Sequence, residues 1–259
     1  MILFWVFLFG LCIGSFLNVV IYRLNTGMPV WIGRSKCTSC AKTLKWYELI
    51  PVFSFLAQMG SCRSCKTKIS WQYIIVELVT ATIFVGLFLR LFQYYVAPED
   101  VLATFVYLTF QWSLLIVIFV YDLKHKIIPD LLAFLFAGLA LIVSFSSTPS
   151  VLTVLAGPAV ALPFFLIWLV SRGRWMGFGD VKLALGIGWF LGISQGLAAI
   201  TVGVWVGALV GLGLIAFRRK HVSLKTEIPF APFLIIGIAI VFWCGIDMQS
   251  IASFFTFVS

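Results

Sequence analysis

Apolar runs of about twenty residues follow one another along almost the whole chain, separated by short polar stretches. That length is what an α-helix needs to cross the roughly 30 Å hydrocarbon core of a bilayer. Residues 2–22, 73–96, 101–121, 131–147 and 151–171 each read as one span. Residues 183–217 do not, because a single helix of that length would run about 52 Å. The run should break near Ser194, Gln195 and Gly196. Its first half is then too short to cross alone, so the crossing begins upstream and draws Asp180 towards the bilayer. A further span starts near Phe230. The chain therefore reads as an all-α polytopic membrane protein of about eight transmembrane helices. With 62% of its residues apolar and 10% charged, it lies outside the range of soluble domains. Residues 1–9 carry no Lys or Arg, so the first run lacks the basic leader of a secretory signal and is expected to remain as a span.

The basic residues orient the spans. Alternating crossings put residues 23–72, 122–130, 172–182 and 218–227 on one side, and these hold 17 of the 18 Lys and Arg residues. By the positive-inside rule that side is the cytoplasm, which leaves both termini outside. A net charge of +9 would suggest nucleic acid in a soluble protein. Here topology and anionic lipid headgroups account for it, and no nucleic-acid partner is expected. Glycines at four-residue spacing (Gly10, Gly14; Gly188, Gly192, Gly196; Gly203, Gly207, Gly211) predict closely packed helices.

Within the 23–72 loop, Cys37, Cys40, Cys62 and Cys65 form two CxxC knuckles. Four thiolates complete a closed tetrahedral shell for zinc, which predicts a structural rather than catalytic ion. Redox-active pairs are the alternative. Cys12 and Cys244 lie within spans and read as packing residues.

The chain has only nine acids, so those at the edges of spans stand out. Asp122 ends a span where a helix C-terminus disfavours negative charge, with Lys124 or Lys126 as possible partners. Asp180 closes the sequence Gly177-Phe178-Gly179-Asp180. The two glycines remove side-chain bulk and would let an extended peptide approach the carboxylate. The plainer reading is a turn before a helix, with Lys182 as an interfacial anchor. Asp130 follows Pro129 and precedes an apolar run, as a helix N-cap would. Glu48, Glu99, Asp100 and Asp247 read as ordinary loop or terminal acids. Asp122 and Asp180 fall on the same side of the membrane and suit acid–base proteolysis. One carboxylate takes a proton from water while the other, protonated, donates to the scissile carbonyl, and close like charges let the pair share one proton. A transporter or channel would instead place acids near the middle of several spans. A zinc-stapled membrane adaptor would need the cysteines but not the aspartates.

Several segments in order resemble the type IV prepilin peptidases (prepilin leader peptidase/N-methyltransferases), a family of GxGD membrane aspartic proteases. They are residues 14–23, both knuckles, residues 45–52, 76–78, Asp122 with Ile128-Pro129-Asp130, residues 177–183, and residues 228–233, where Ala231 replaces a common glycine. The resemblance implies that Asp122 and Asp180 are catalytic, with Gly177, Gly179 and Lys182 supporting them. It implies prepilin or pseudopilin precursors as substrates, whose basic leader is cut at the cytoplasmic face of a bacterial cell membrane. It also implies N-methylation of the new N-terminus with S-adenosylmethionine as donor, although a peptidase without methyltransferase activity is the alternative. Residues 1–100, with the zinc loop, would be the methyltransferase part and residues 101–259 the peptidase. Glu77 and Asn18 are candidates for methyl transfer. Glu77 has an alternative role in an ion pair with Arg23 or another basic residue at the span edge.

Overall fold

The computed structural model describes residues 1–94, 98–216 and 229–258. The basic stretch 218–227, with His221 and Glu227, lies outside the described residues. Among those described there are helices α1 (Ile2–Arg23), α2 (Phe53–Ala57), α3 (Gln72–Tyr94), α4 (Pro98–His125), α5 (Asp130–Ser147), α6 (Val151–Ser171), α7 (Phe178–Ala216), α8 (Ala231–Cys244) and α9 (Met248–Val258). Pairing between extended segments is limited to two isolated bridges in the loop after α1. Six helices are long and apolar enough to cross a membrane, and α8 is shorter but equally apolar. The protein is a multi-pass membrane protein. Glu99 and Asp100, expected in a loop, are helical together with residue 98. They open α4, whose first residue is Pro98, a position where the missing N–H costs nothing.

The chain forms two compact units, Met1–Val117 and Ile118–Ser259. In the first, α1 packs along α3. Gly10 and Gly14 make this possible. A methyl group on Gly10 would lie 2.5 Å from Ala81 Cα, and one on Gly14 2.7 Å from Glu77 Cα, so the backbones touch.

In the second unit α5, α6 and α8 pack around α7. As one straight helix the 39 residues of α7 would be about 58 Å long. They are broken at Gly192, with φ 79° and ψ 177°, a conformation open in practice only to glycine. A methyl on Gly196 would lie 3.4 Å from Gly188 Cα. Residues eight apart on a continuous helix are about 12 Å apart, so the chain turns back on itself at Gly192. The break comes two residues before the expected Ser194. Gly192 is therefore a hinge of the hairpin and not a packing glycine, whereas Gly188 packs on Ala156 and Gly196 on Val160.

Pro158 sits inside α6 and deprives the Val154 carbonyl of its helical donor. The indole N–H of Trp189 in α7 donates to that carbonyl at 3.0 Å. Gly157 leaves room for the ring, since a methyl there would lie 2.7 Å from Trp189 Nε1. Cys12 and Cys244 are exposed, contrary to their reading as packing residues. Cys12 faces away from α3 because Gly10 and Gly14 supply the contact.

Candidate active site and metal centre

Asp122 lies in the last turn of α4 and Asp180 in the first turn of α7. Both are buried, at 4% and 9% exposure. The two carboxyl groups are within electrostatic reach of each other. The backbone N–H of Ala231, the first residue of α8, is directed at the Asp122 carboxyl group, and a helix N-terminus is a natural seat for an anion. Asp122 Oδ2 is buried and has no hydrogen-bond partner among the described residues. Among the described residues the ion pairs are Lys42–Glu48 and Lys182–Asp130, so neither Lys124 nor Lys126 neutralises Asp122. A buried carboxylate oxygen without a donor is costly, which makes Asp122 stand out chemically.

The glycines beside Asp180 are not equivalent. A methyl on Gly179 would lie 3.0 Å from Ile128 Cβ and 3.3 Å from its Cδ1. The space at Gly179 is already filled by the segment leading into α5. Among the described residues a methyl on Gly177 would meet only Gly179 N, at 3.9 Å, so this side is open where Gly179 is not.

Lys182 is not a free interfacial anchor. Its Nζ is 2.7 Å from Asp130 Oδ1 and lies 5.1 Å and 5.2 Å from the ring centroids of Phe134 and Phe178. Asp130 is not an N-cap either. Pro129 takes that position, and Asp130 begins α5 with its carboxylate turned to Lys182. The ion pair ties the first turn of α5 to the first turn of α7. Nothing in the local sequence signalled it, because the partners are 52 residues apart.

In the first unit, Sγ atoms of Cys37, Cys40, Cys62 and Cys65 all lie within 4.8 Å of one another. The Cys37–Cys65 separation is 3.8 Å, matching the roughly 3.8 Å edge of a tetrahedron with zinc–sulfur bonds of about 2.3 Å. The knuckles are built alike. In each, the first cysteine's N–H reaches a carbonyl five residues on: Cys37 to Lys42, and Cys62 to Thr67. In each, the residue after the second cysteine is left-handed: Ala41 at φ 57° and Lys66 at φ 60°. Bridges Lys36–Thr43 and Ser61–Lys68 close the two turns. Backbone N–H groups of Cys40 and Ser39 lower the pKa of Cys37, and the Thr67 hydroxyl brings Cys65 down to about 6. Both shifts favour the thiolate, the form that binds metal, whereas, against the lowering effect of the Lys42 backbone N–H, burial and the neighbouring cysteines raise Cys40 to about 11. The four cysteines are thus arranged to hold a metal ion. Glu48 is no ordinary loop acid. It is buried, accepts the Lys45 N–H at 2.8 Å and lies 4.0 Å from Lys42.

Glu77 and Asn18 both sit in the α1–α3 contact. Glu77 Oε2 accepts the Val52 N–H at 2.7 Å, and the Ser15 hydroxyl lies within interaction range of this carboxylate. It does not pair with Arg23, whose guanidinium donates to the carbonyls of Pro29, Val30, Ile32 and Gly33. Asn18 donates to the carbonyls of Gly14 and Tyr73 and accepts from Gln72 Nε2 at 3.2 Å.

Two family models match the chain. One, the bacterial peptidase A24 N-terminal domain, covers residues 8–91, and the other, the type IV leader peptidase family, covers residues 109–212. A prepilin leader peptidase/N-methyltransferase of Bacillus subtilis (strain 168) is 33% identical over 96% of both chains. The chain belongs to the type IV leader peptidase family. Further members bearing the same name, from Aeromonas hydrophila and Vibrio cholerae, are 34% and 31% identical over 90% of this chain, covering 87% and 93% of their own lengths. No solved structure matches the chain. The second family model spans both aspartates, and the N-terminal one spans the four cysteines, Asn18 and Glu77.

Proposed function

We propose that the protein is a membrane aspartic endopeptidase that removes the leader of prepilins or pseudopilins and then methylates the new N-terminus. The observation that carries the reading is the buried Asp122–Asp180 pair, with an unpartnered oxygen on Asp122, in a chain that belongs to this family. The ionised member of the pair takes a proton from water as the water oxygen bonds to the scissile carbonyl carbon. The protonated member gives its proton to the carbonyl oxygen. Collapse of the tetrahedral intermediate breaks the C–N bond, and the departing amine takes up a proton. Gly177 is the open side along which the peptide backbone approaches. Lys182, held by Asp130, positions the first turn of α7.

Residues 101–259 carry this step and residues 1–100 the methyl transfer. S-adenosylmethionine, when bound, would supply the methyl group to the new amine, which would lose a proton. Glu77 and Asn18, whose hydrogen bonds fix α1, α3 and Val52, are positioning residues for it. Zinc is the metal suited to four thiolates, and it would lock the knuckles without entering the reaction. Eight crossings follow if both arms of α7 and the short α8 cross. The basic stretches and the active site then face the cytoplasm of a bacterial cell membrane, and the N-terminus lies outside.

The test uses purified protein in lipid nanodiscs with a prepilin and S-adenosylmethionine, read by intact mass. The expected product is shorter by the leader and heavier by one methyl group, and it is absent with Asp122→Asn or Asp180→Asn. Cleavage that persists in both variants would overturn the peptidase assignment. Cleavage without the methyl increment would reduce the protein to a peptidase.

A further inference from the structure

The loop between α1 and α3 carries an apolar face that its own packing does not use. Phe55 is buried and packs on Trp71, with ring centroids 5.2 Å apart and the planes tilted by 54°. Phe53 and Leu56 in α2, and Met59 just beyond its end at φ 50°, are 66%, 60% and 93% exposed. Three large apolar side chains exposed this close together are costly in water.

Their depth indicates what covers them. The residue immediately before α2, Val52, donates its N–H to Glu77 Oε2. Glu77 lies five residues into α3, about 7.5 Å along its axis. Glu77 also lies beside Gly14 and Ser15, eight or nine residues from the end of α1, about 12 Å along that axis. Both helices are membrane spans. The loop therefore leaves α1 at Arg23, passes through the first knuckle and returns to a level within the two spans before α2 starts. Val52 is held there at φ 62°, which is uncommon for a β-branched residue. The rest of the loop is basic, with eight Lys and Arg residues against the single, buried Glu48.

We propose that residues 50–59 form an interfacial anchor. Phe53, Leu56 and Met59 enter the headgroup–acyl boundary of the bilayer, and the knuckles' basic side chains meet anionic headgroups above it. An apolar face below a basic one is the pattern of helices that lie in a membrane surface. Glu77 is then the latch that holds the anchor at its depth. The anchor concerns the first unit alone and stands whether or not the aspartate pair is the peptidase.

The test places a benzophenone amino acid at Phe53, Leu56 or Met59, and at Lys66 on a knuckle tip as the control. Full-length, metal-loaded protein is reconstituted into vesicles of phosphatidylethanolamine and phosphatidylglycerol and irradiated, with prepilin cleavage measured on the same vesicles. The expected result is phospholipid adducts at the three apolar positions at several times the yield of position 66, unchanged by added prepilin. Equal yields at all four positions would overturn the anchor. So would adducts that shift to prepilin when it is added, or that join two copies of the protein. Lipid adducts in vesicles that do not cleave prepilin would uphold the anchor and count against the peptidase reading.

Discussion

The two glycines of the GFGD sequence should respond differently to the same substitution. In Gly179→Ala the new methyl would lie 3.0, 3.3 and 3.4 Å from Ile128 Cβ, Cδ1 and Cγ1. Carbon atoms pack comfortably at about 3.5–4.0 Å, so Ile128 must retreat by roughly half an ångström or more. Overpacking of this kind costs about 1–3 kcal/mol. Alanine in a helical first turn would otherwise gain up to about 1 kcal/mol over glycine. Any net loss at position 179 therefore reports the contact. In Gly177→Ala the methyl meets nothing nearer than 3.9 Å, and stability should stay within about 0.5 kcal/mol of wild type. Unfolding in detergent and prepilin cleavage would be measured on both variants and on Gly179→Ala/Ile128→Ala. The expected result is a destabilised Gly179→Ala that recovers part of its stability when Ile128 is trimmed. Gly177→Ala should be as stable as wild type but cleave at least about tenfold more slowly, a loss of about 1.4 kcal/mol in transition-state binding. Equal destabilisation of the two variants, or no recovery on trimming Ile128, would refute the reasoning.

Three further outcomes follow from the structure. Trp189→Phe removes the donor to the Val154 carbonyl and should cost about 0.5–2 kcal/mol. In a Pro158→Ala background, where residue 158 regains an N–H, that cost should fall towards zero in a double-mutant unfolding cycle. Protein purified without chelator should contain one zinc per chain by elemental analysis, and Cys37→Ser or Cys62→Ser should remove it and deprotect the amides of residues 36–68 in hydrogen exchange. Glu77→Ala should lower methylation of the cleaved product while leader removal continues. Glu77→Gln, which can still accept the Val52 N–H, should restore much of the methylation, and the amount of methylated product by mass checks both.

What could be read from the sequence was whatever depends on local chemistry. Runs of twenty apolar residues dictate spans, paired CxxC spacing dictates a four-sulfur cluster, and rare acids in an apolar chain mark a site. The excess length of the 183–217 run demanded a break, because no bilayer accommodates it as one helix. From the sequence the break was expected near residues 194–196, and it falls at Gly192. That depended on Gly196 being needed against Val160 and Gly188, leaving Gly192 to take the glycine-only conformation. Contacts between distant segments were likewise hidden. Asp130 looked like a cap because its neighbours suit one, and only the arrival of Lys182 from α7 gives it a partner. Arg23 looked like a partner for Glu77 by charge, yet its guanidinium bonds turn carbonyls nearer in sequence. The apolar residues of α2 could be read as loop residues until Glu77 fixed the depth of Val52.

The central claim is that Asp122 and Asp180 act as one unit. It is tested most directly by the cleavage rate of the double variant Asp122→Asn/Asp180→Asn beside the two single variants in nanodiscs. The account predicts that each single change removes cleavage by several orders of magnitude and that the double change removes no more, since groups acting together are lost together. A single variant that keeps a tenth of wild-type activity, or a double variant slowed by the product of the two single effects, would contradict it.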